Sequence, residues 1–184
     1  MQTVKSQSPY QDSLKRFITN YIATHDVLKE EDKKYLQFFP IDKSYAVTAS
    51  FEKKENAPWL QIPTTGKIKK TFRLYGTAHF TLHDTVLSLN IYQSQNLLQT
   101  EKYSDYLFLP FTDLTTGNES YETGRYIDLT LSDIKGNKVV IDFNKAYNPS
   151  CAYVSGKYNC PIPPRENSLQ VAIKAGEKKF NRAH

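Results

Sequence analysis

The stretch "TAHFTLHDTVLSLNIYQ", residues 77–93, decides the class of fold. Phe80 and Leu82 alternate with His79, Thr81 and His83, a period of two that belongs to a half-buried strand. A second run at 86–93 follows the turn-like "HDT". On a helix the His79–His83 spacing could hold zinc, but no Glu follows the first His. The two histidines are therefore read as a polar sheet face, or as lumen if the sheet closes into a barrel.

Working outward, the same period starts near Tyr45 and predicts further strands at 45–51, 68–75, 105–110, 126–131, 138–143 and 168–174. Several short strands without a βαβ alternation predict a mainly β domain, an antiparallel barrel-like fold or sandwich. The piece "KKENAPWLQIPTTG", 53–66, reads as a loop broken by two prolines, with Trp59 anchored on the core. An N-terminal α-helix precedes the strands. Ser8 suits its N-cap, Pro9 its first position and Gln11 a capping box. Tyr10, Leu14, Phe17, Ile18, Tyr21, Ile22 and Leu28 follow helical spacing. "KEEDKK", 29–34, reads as a solvated turn or short second helix.

A chain of 184 residues with 39% hydrophobic and 23% charged residues has the composition of one soluble globular domain. Within it we expect a leader at 1–8, a helical segment at 9–34 and a β-rich core at 45–178. The 13 Tyr and 10 Phe suit sheets, where a ring packs flat and a hydroxyl reaches outward. The net charge of +5 comes from scattered lysine pairs, which make a solvated surface and not a phosphate track, so nucleic acid is not an expected partner. No apolar run reaches a membrane span, and the N-terminus shows no signal core. The protein is expected in the cytoplasm, or in the periplasm or envelope if the polar leader follows a removed signal peptide.

Candidate chemistry falls in two segments. In "FTDLTTGNESYETGRYIDL", 111–129, Pro110 is expected to end the preceding strand. Asp113, Glu119, Tyr121 and Arg125 then lie close in sequence, so the Arg can pair with an acid or meet an anionic ligand. A calcium loop is excluded, because from Asp113 the required Gly and Glu positions hold Asn118 and Gly124. In "VIDFNKAYNPSCAYVSGKYNCPIPPREN", 140–167, Asp142 and Asn144 project from one face. Tyr147 and Asn148 enter a turn before Pro149, and "CPIPP" makes a stiff extended strap. Cys151 and Cys160 lack the further ligands of a zinc site and the spacing of a redox motif. They are expected to meet in space, as a disulfide or as two buried thiols according to compartment. No metal site and no cofactor is expected.

These two segments, with "IKAGEK" at 173–178, resemble the bacterial family catalogued as domain of unknown function 1684. The resemblance covers the chain from about residue 25, with its motifs in roughly the last 75 residues. It places Phe111, Asp113, Glu119, Tyr121, Gly124, Arg125, Tyr126, Asp142, Asn144, Tyr147, Asn148, Cys151, Cys160, Asn167 and Glu177 at motif positions. It implies no reaction, and it implies export for similar members.

The expected function is to bind a small polar or anionic molecule in a cleft between loop 111–125 and strap 144–164. Asp113, Glu119, Tyr121, Arg125, Asp142, Asn144, Tyr147 and Asn148 would line that cleft. An enzyme using Asp113 or Glu119 as acid or base, assisted by Tyr121 or Tyr147, is the first alternative. A structural domain whose polar network only locks loops is the second.

Overall fold

The 77–93 stretch folds as a hairpin whose turn is His83 and Asp84, at φ +47° and +64°. Two successive residues with positive φ give the turn the twist that joins antiparallel strands tightly. His83 therefore leaves the strand face it was expected to share with His79. Its ring packs against Tyr45 and its Nε2 meets Ser44 Oγ at 3.1 Å. His79 stays exposed on the polar face.

The protein is described here by a computed structural model covering residues 8–181. Most of the expected leader and His184 lie outside the described residues. Helix α1 (Pro9–Thr24) has Ser8 as N-cap and Pro9 as first residue, as expected, with the Ser8 hydroxyl accepting from the Gln11 amide at 3.3 Å. The return bond from the Gln11 side chain that would close a capping box is not made. The charged 29–34 segment forms a 3-10 helix of two turns, Glu30–Tyr35. The strands are β1 (Ala46–Lys53), β2 (Trp59–Ile62), β3 (Lys70–Leu82), β4 (Thr85–Ser94), β5 (Tyr106–Phe111), β6 (Arg125–Thr130), β7 (Ile134–Lys135) and β8 (Lys138–Asp142). They run in the order β6-β5-β4-β3-β1-β8-β7, with β2 paired to β3 beside β1. Every ladder is antiparallel.

Among the described residues, no ladder joins β6 to β7, so the sheet is open and sandwich-like and the barrel alternative is not realised. A single bridge, Tyr126 to Tyr147, ties β6 to the segment after β8. The concave face buries Ala49, Phe80, Ile91, Leu109, Ile127 and Ile141, the alternate residues of six strands, with Phe143 and Ile173. The opposite face carries a smaller cluster of Ile62, Phe72, Tyr92, Phe108 and Tyr126.

Three boundaries differ from expectation. The runs 68–75 and 77–83 are one strand, interrupted by a bulge between Leu74 and Gly76. Part of the 53–66 loop is β2, where Trp59 lies half-exposed with the Arg73 guanidinium 4.7 Å from its ring. Pro110 sits inside β5, opposite Tyr126, and does not end it. The predicted strand 168–174 has no ladder. It runs beside residues 112–114, through the bridge Thr112–Ser168 and the Leu114 amide donated to the Val171 carbonyl at 3.0 Å, and then passes to Arg125.

Gly76 has no room for a side chain: a Cβ there would stand 2.3 Å from Phe51 Cζ and 2.6 Å from the Glu52 carbonyl. Gly76→Ala is expected to destabilise the fold by about 1–3 kcal/mol, the usual range for overpacking. Urea denaturation will show it as a lower midpoint at unchanged slope.

Candidate functional site

The segment after residue 168 runs along the open end of the concave core without a neighbouring strand. Its buried carbonyls must find donors elsewhere. The Leu114 and Phe39 amides meet those of Val171 and Gly176, and Arg125 meets three more. Its side chain is wholly buried and lies between the rings of Phe111 and Phe39, 5.3 and 5.8 Å away. Nη2 donates to the Ile173 carbonyl at 2.8 Å, and Nη1 donates to the carbonyls of Ala175 and Glu177. Residues 173, 175 and 177 are alternate positions, whose carbonyls lie on one edge of an extended chain. Gly176, at φ +76°, bends that chain round the guanidinium. A Cβ at Gly176 would stand 2.6 Å from the Ala146 carbonyl.

The charge of Arg125 is met by Asp113, 2.8 Å away and equally buried. Burial lowers the proton affinity of the guanidinium, and the Asp113 carboxylate raises it again. The other oxygen of Asp113 accepts from the amides of Thr115 (2.7 Å) and Ile173 (3.3 Å). Both carboxylate oxygens are thus committed to the loop and the C-terminal segment. Glu119 is not in this cluster. It is partly exposed and pairs with Lys174 at 3.2 Å.

Asp142 and Asn144 form a second, separate cluster that docks α1. Tyr10 donates to both Asp142 oxygens at 3.0 and 3.1 Å. Asn144 pairs with the backbone of Asp42, accepting from its amide at 3.0 Å and donating to its carbonyl at 2.8 Å. Asn167 works in the same way across the sheet. It brackets the Asn90 amide and carbonyl and donates to the Pro110 carbonyl at 2.6 Å. It fills the place where the β4–β5 ladder shrinks to the single pair Tyr92–Phe108.

The third cluster surrounds Glu177, which is fully buried. Its carboxylate accepts from the hydroxyls of Tyr153 (2.7 Å) and Tyr21 (3.1 Å) and from the Asn148 amide (2.9 Å). Burial pushes its pKa from 4.5 up to about 7, although these donors pull the other way. Beside it, the hydroxyls of Tyr147 and Tyr106 both donate to Asp128 Oδ1, at 2.6 and 2.8 Å. Asp128 itself is exposed on the sheet face; the side chains packed about its carboxylate raise its pKa, while the two hydroxyls lower it. A hollow of about 510 Å³ opens over these groups, lined by Tyr21, His25, Asp128, Tyr147, Asn148 and Tyr153 among others.

The eight expected site residues therefore divide. Asp113 and Arg125 pair, Asp142 and Asn144 pair, and Tyr147 and Asn148 adjoin the Glu177 cluster. Glu119 stands on the surface. Tyr121 lines a different hollow, a polar cleft of about 1050 Å³ between residues 121–123, 155–159 and 64–68. Cys151 and Cys160 form a disulfide at this cleft, with sulfurs 2.22 Å apart. Closing so short a loop stabilises by roughly 2–3 kcal/mol in the chain-entropy model. Thr65 ties the bonded pair to the neighbouring loop, donating its amide to the Cys160 carbonyl at 2.9 Å. A third hollow, about 480 Å³ and mainly apolar, lies under Ile162, Pro163 and Pro164.

Tyr21, Tyr153 and Asp128 escaped sequence reasoning. Tyr21 reads only as one more ring on the apolar face of α1, and nothing local marks the other two. Asn167 and Glu177 were marked by the family resemblance alone. Among the described residues, no three His, Cys, Asp or Glu side chains gather as a metal set, and no helix is long and apolar enough to cross a membrane.

A family model described as a protein of unknown function, DUF1684, matches residues 32–178. The solution NMR structure of an uncharacterized protein from Haloarcula marismortui is similar, with a TM-score of 0.69 and 29% sequence identity over 92% of this chain and 94% of that one. That relative is archaeal, so the likeness extends beyond bacteria. None of the curated proteins matches the chain.

Glu177 makes stability depend on pH. Its proton is held more tightly in the folded state than in the unfolded chain, so its contribution is complete below about pH 4.5 and is lost as pH rises through about 7. Replacing it by Gln removes that dependence. In parallel denaturation series, the stability of the wild type relative to Glu177→Gln is expected to fall by roughly 3 kcal/mol across this window.

Proposed function

We propose that this chain, which belongs to the DUF1684 family of proteins of unknown function, is a β-rich domain whose motif-marked polar residues hold its C-terminal segment and loops in place. The observation that carries this reading is Arg125. It has no exposed surface, and its two terminal nitrogens are occupied by three backbone carbonyls and Asp113. Nε, the one donor left over, is sealed inside the protein with the rest of the side chain, where no ligand reaches it. Asp113 and Asp142 are likewise saturated by groups of the chain itself. Acid–base chemistry at Asp113 or Glu119 has less support, since one is sealed and the other pairs with Lys174 at the surface. The disulfide favours an oxidising compartment, in line with export.

The Tyr121 cleft favours a second reading, in which a small polar or anionic molecule is bound. Its walls offer hydroxyls from Thr64, Thr65, Thr123 and Ser155, the Asn159 amide, and one cation, Lys67. Sulfate is the simplest anionic probe. On this reading it raises the thermal midpoint of the wild type more than chloride of equal ionic strength does, and Lys67→Ala abolishes the difference.

For the structural role, Arg125→Lys should lower stability by about 3–5 kcal/mol without any ligand present, the range for breaking a buried pair. The apolar double replacement Arg125→Met with Asp113→Leu should not restore it, because the carbonyls of Ile173, Ala175 and Glu177 stay buried without donors. A stable, wild-type-like thermal midpoint for Arg125→Lys would overturn this reading.

A further inference from the structure

The hollow over Glu177 differs in chemistry from the rest of the surface. The chain carries a net charge of +5, yet no Lys or Arg lines this hollow. Its walls hold the rings of Tyr21, Tyr103, Tyr147 and Tyr153 and the carboxylates of Asp26 and Asp128. A third carboxylate, Glu177, lies behind the hydroxyls of Tyr21 and Tyr153. Three of these tyrosines donate to a carboxylate, Tyr147 to Asp128 and the other two to Glu177. Such a bond leaves electron density on the ring and strengthens the negative face that attracts a cation.

Two further observations point to an occupant. Asn148 forms part of the wall and is almost wholly buried, and its amide oxygen has no hydrogen-bond partner within the protein. That oxygen is closed off from the surface, so a donor from outside reaches it only when the amide turns toward the hollow. His25, also in the wall, accepts from the Leu28 amide at Nδ1, which requires an unprotonated nitrogen there and so a neutral ring. Lys33 is held by the Ala23 carbonyl and Glu30 and does not line the hollow. Lys102 stands over the Tyr103 ring, 5.1 Å from its centre, so that ring already receives a cation on one face.

We infer that this hollow is a binding site for an organic ammonium group, caged by Tyr21, Tyr103, Tyr147 and Tyr153 and neutralised by Asp128. The ammonium lies against the ring faces and beside the exposed Asp128 carboxylate, and an N–H or hydroxyl of the ligand meets the Asn148 oxygen once that amide turns toward the hollow. The inference stands apart from the structural role of Arg125, whose partners lie on the backbone side of residues 173–177. It also differs in sign from the anion-binding reading of the Tyr121 cleft.

The test uses the whole chain and two probes, choline for a quaternary ammonium and butylamine for a primary one. Chemical-shift titration and calorimetry are run against potassium chloride at equal ionic strength. Saturable binding of either probe is expected, with choline's uncharged isostere dimethylbutanol about tenfold weaker or absent. Asp128→Asn keeps an acceptor for Tyr106 and Tyr147 and should weaken binding about tenfold. Tyr103→Leu, on the partly exposed rim, should weaken it about fivefold, in keeping with the loss of one ring. If neither probe binds beyond the salt control, or if dimethylbutanol binds as well as choline, the inference falls. Equal binding by folded Asp128→Asn and Tyr103→Leu variants would also overturn it, because the cation would then sit elsewhere.

Discussion

The guanidinium of Arg125 stands where a strand would otherwise have to be. The segment 173–177 crosses the open end of the core, and its carbonyls at 173, 175 and 177 have no backbone donor among the described residues. One planar group with several donors solves this, because it can serve carbonyls at alternate residues of a chain bent around it. Its own charge then requires Asp113, and Asp113 in turn fixes the start of the 113–120 loop and the amide of Ile173. Lysine, with a point charge on a flexible stem, offers no equivalent fork.

Two asparagines repeat the device on a smaller scale. Asn144 and Asn167 each present an amide that pairs with both the N–H and the C=O of a distant backbone, as a strand residue would. One locks the 42–45 turn beside α1, and the other bridges β4 and β5 where their ladder ends. The polar residues of this protein are thus concentrated where the sheet stops being regular. A buried polar group of this kind is stable only when fully satisfied, and these side chains are nearly so. Among the described residues, the buried side-chain atoms without a partner, Arg125 Nε and Asn148 Oδ1, are few enough to be informative.

The Glu177 cluster joins the two halves of the molecule's chemistry. Its carbonyl belongs to the Arg125 lock, and its carboxylate belongs to the tyrosine-lined hollow. The residue next to a structural constraint therefore also sets the electrostatic character of a cavity. Burial makes its charge costly near neutral pH, and the hydroxyls of Tyr21 and Tyr153 offset part of that cost. A helix from the N-terminus, a turn after β8 and the C-terminal segment must all be in place before this environment exists.

Alternation in 77–93 was enough to establish a sheet, because a half-buried strand writes its two faces directly into residue order. The capped helix was equally legible, since Ser8 and Pro9 act within one turn of themselves. The strand expected at 168–174 shows the limit: Leu169 and Ile173 are buried as the pattern says, but the Ile173 carbonyl is met by a side chain 48 residues away. Local order also brought Arg125 and Asp113 together, and it marked Asp142 with Asn144. It did not separate these into independent clusters, and it held no trace of Tyr21 and Tyr153 meeting Glu177. Short-range periodicity reports which face of an element is buried. Which distant polar group satisfies a buried carbonyl or carboxylate is decided only when the elements pack, because that choice depends on geometry across the whole fold.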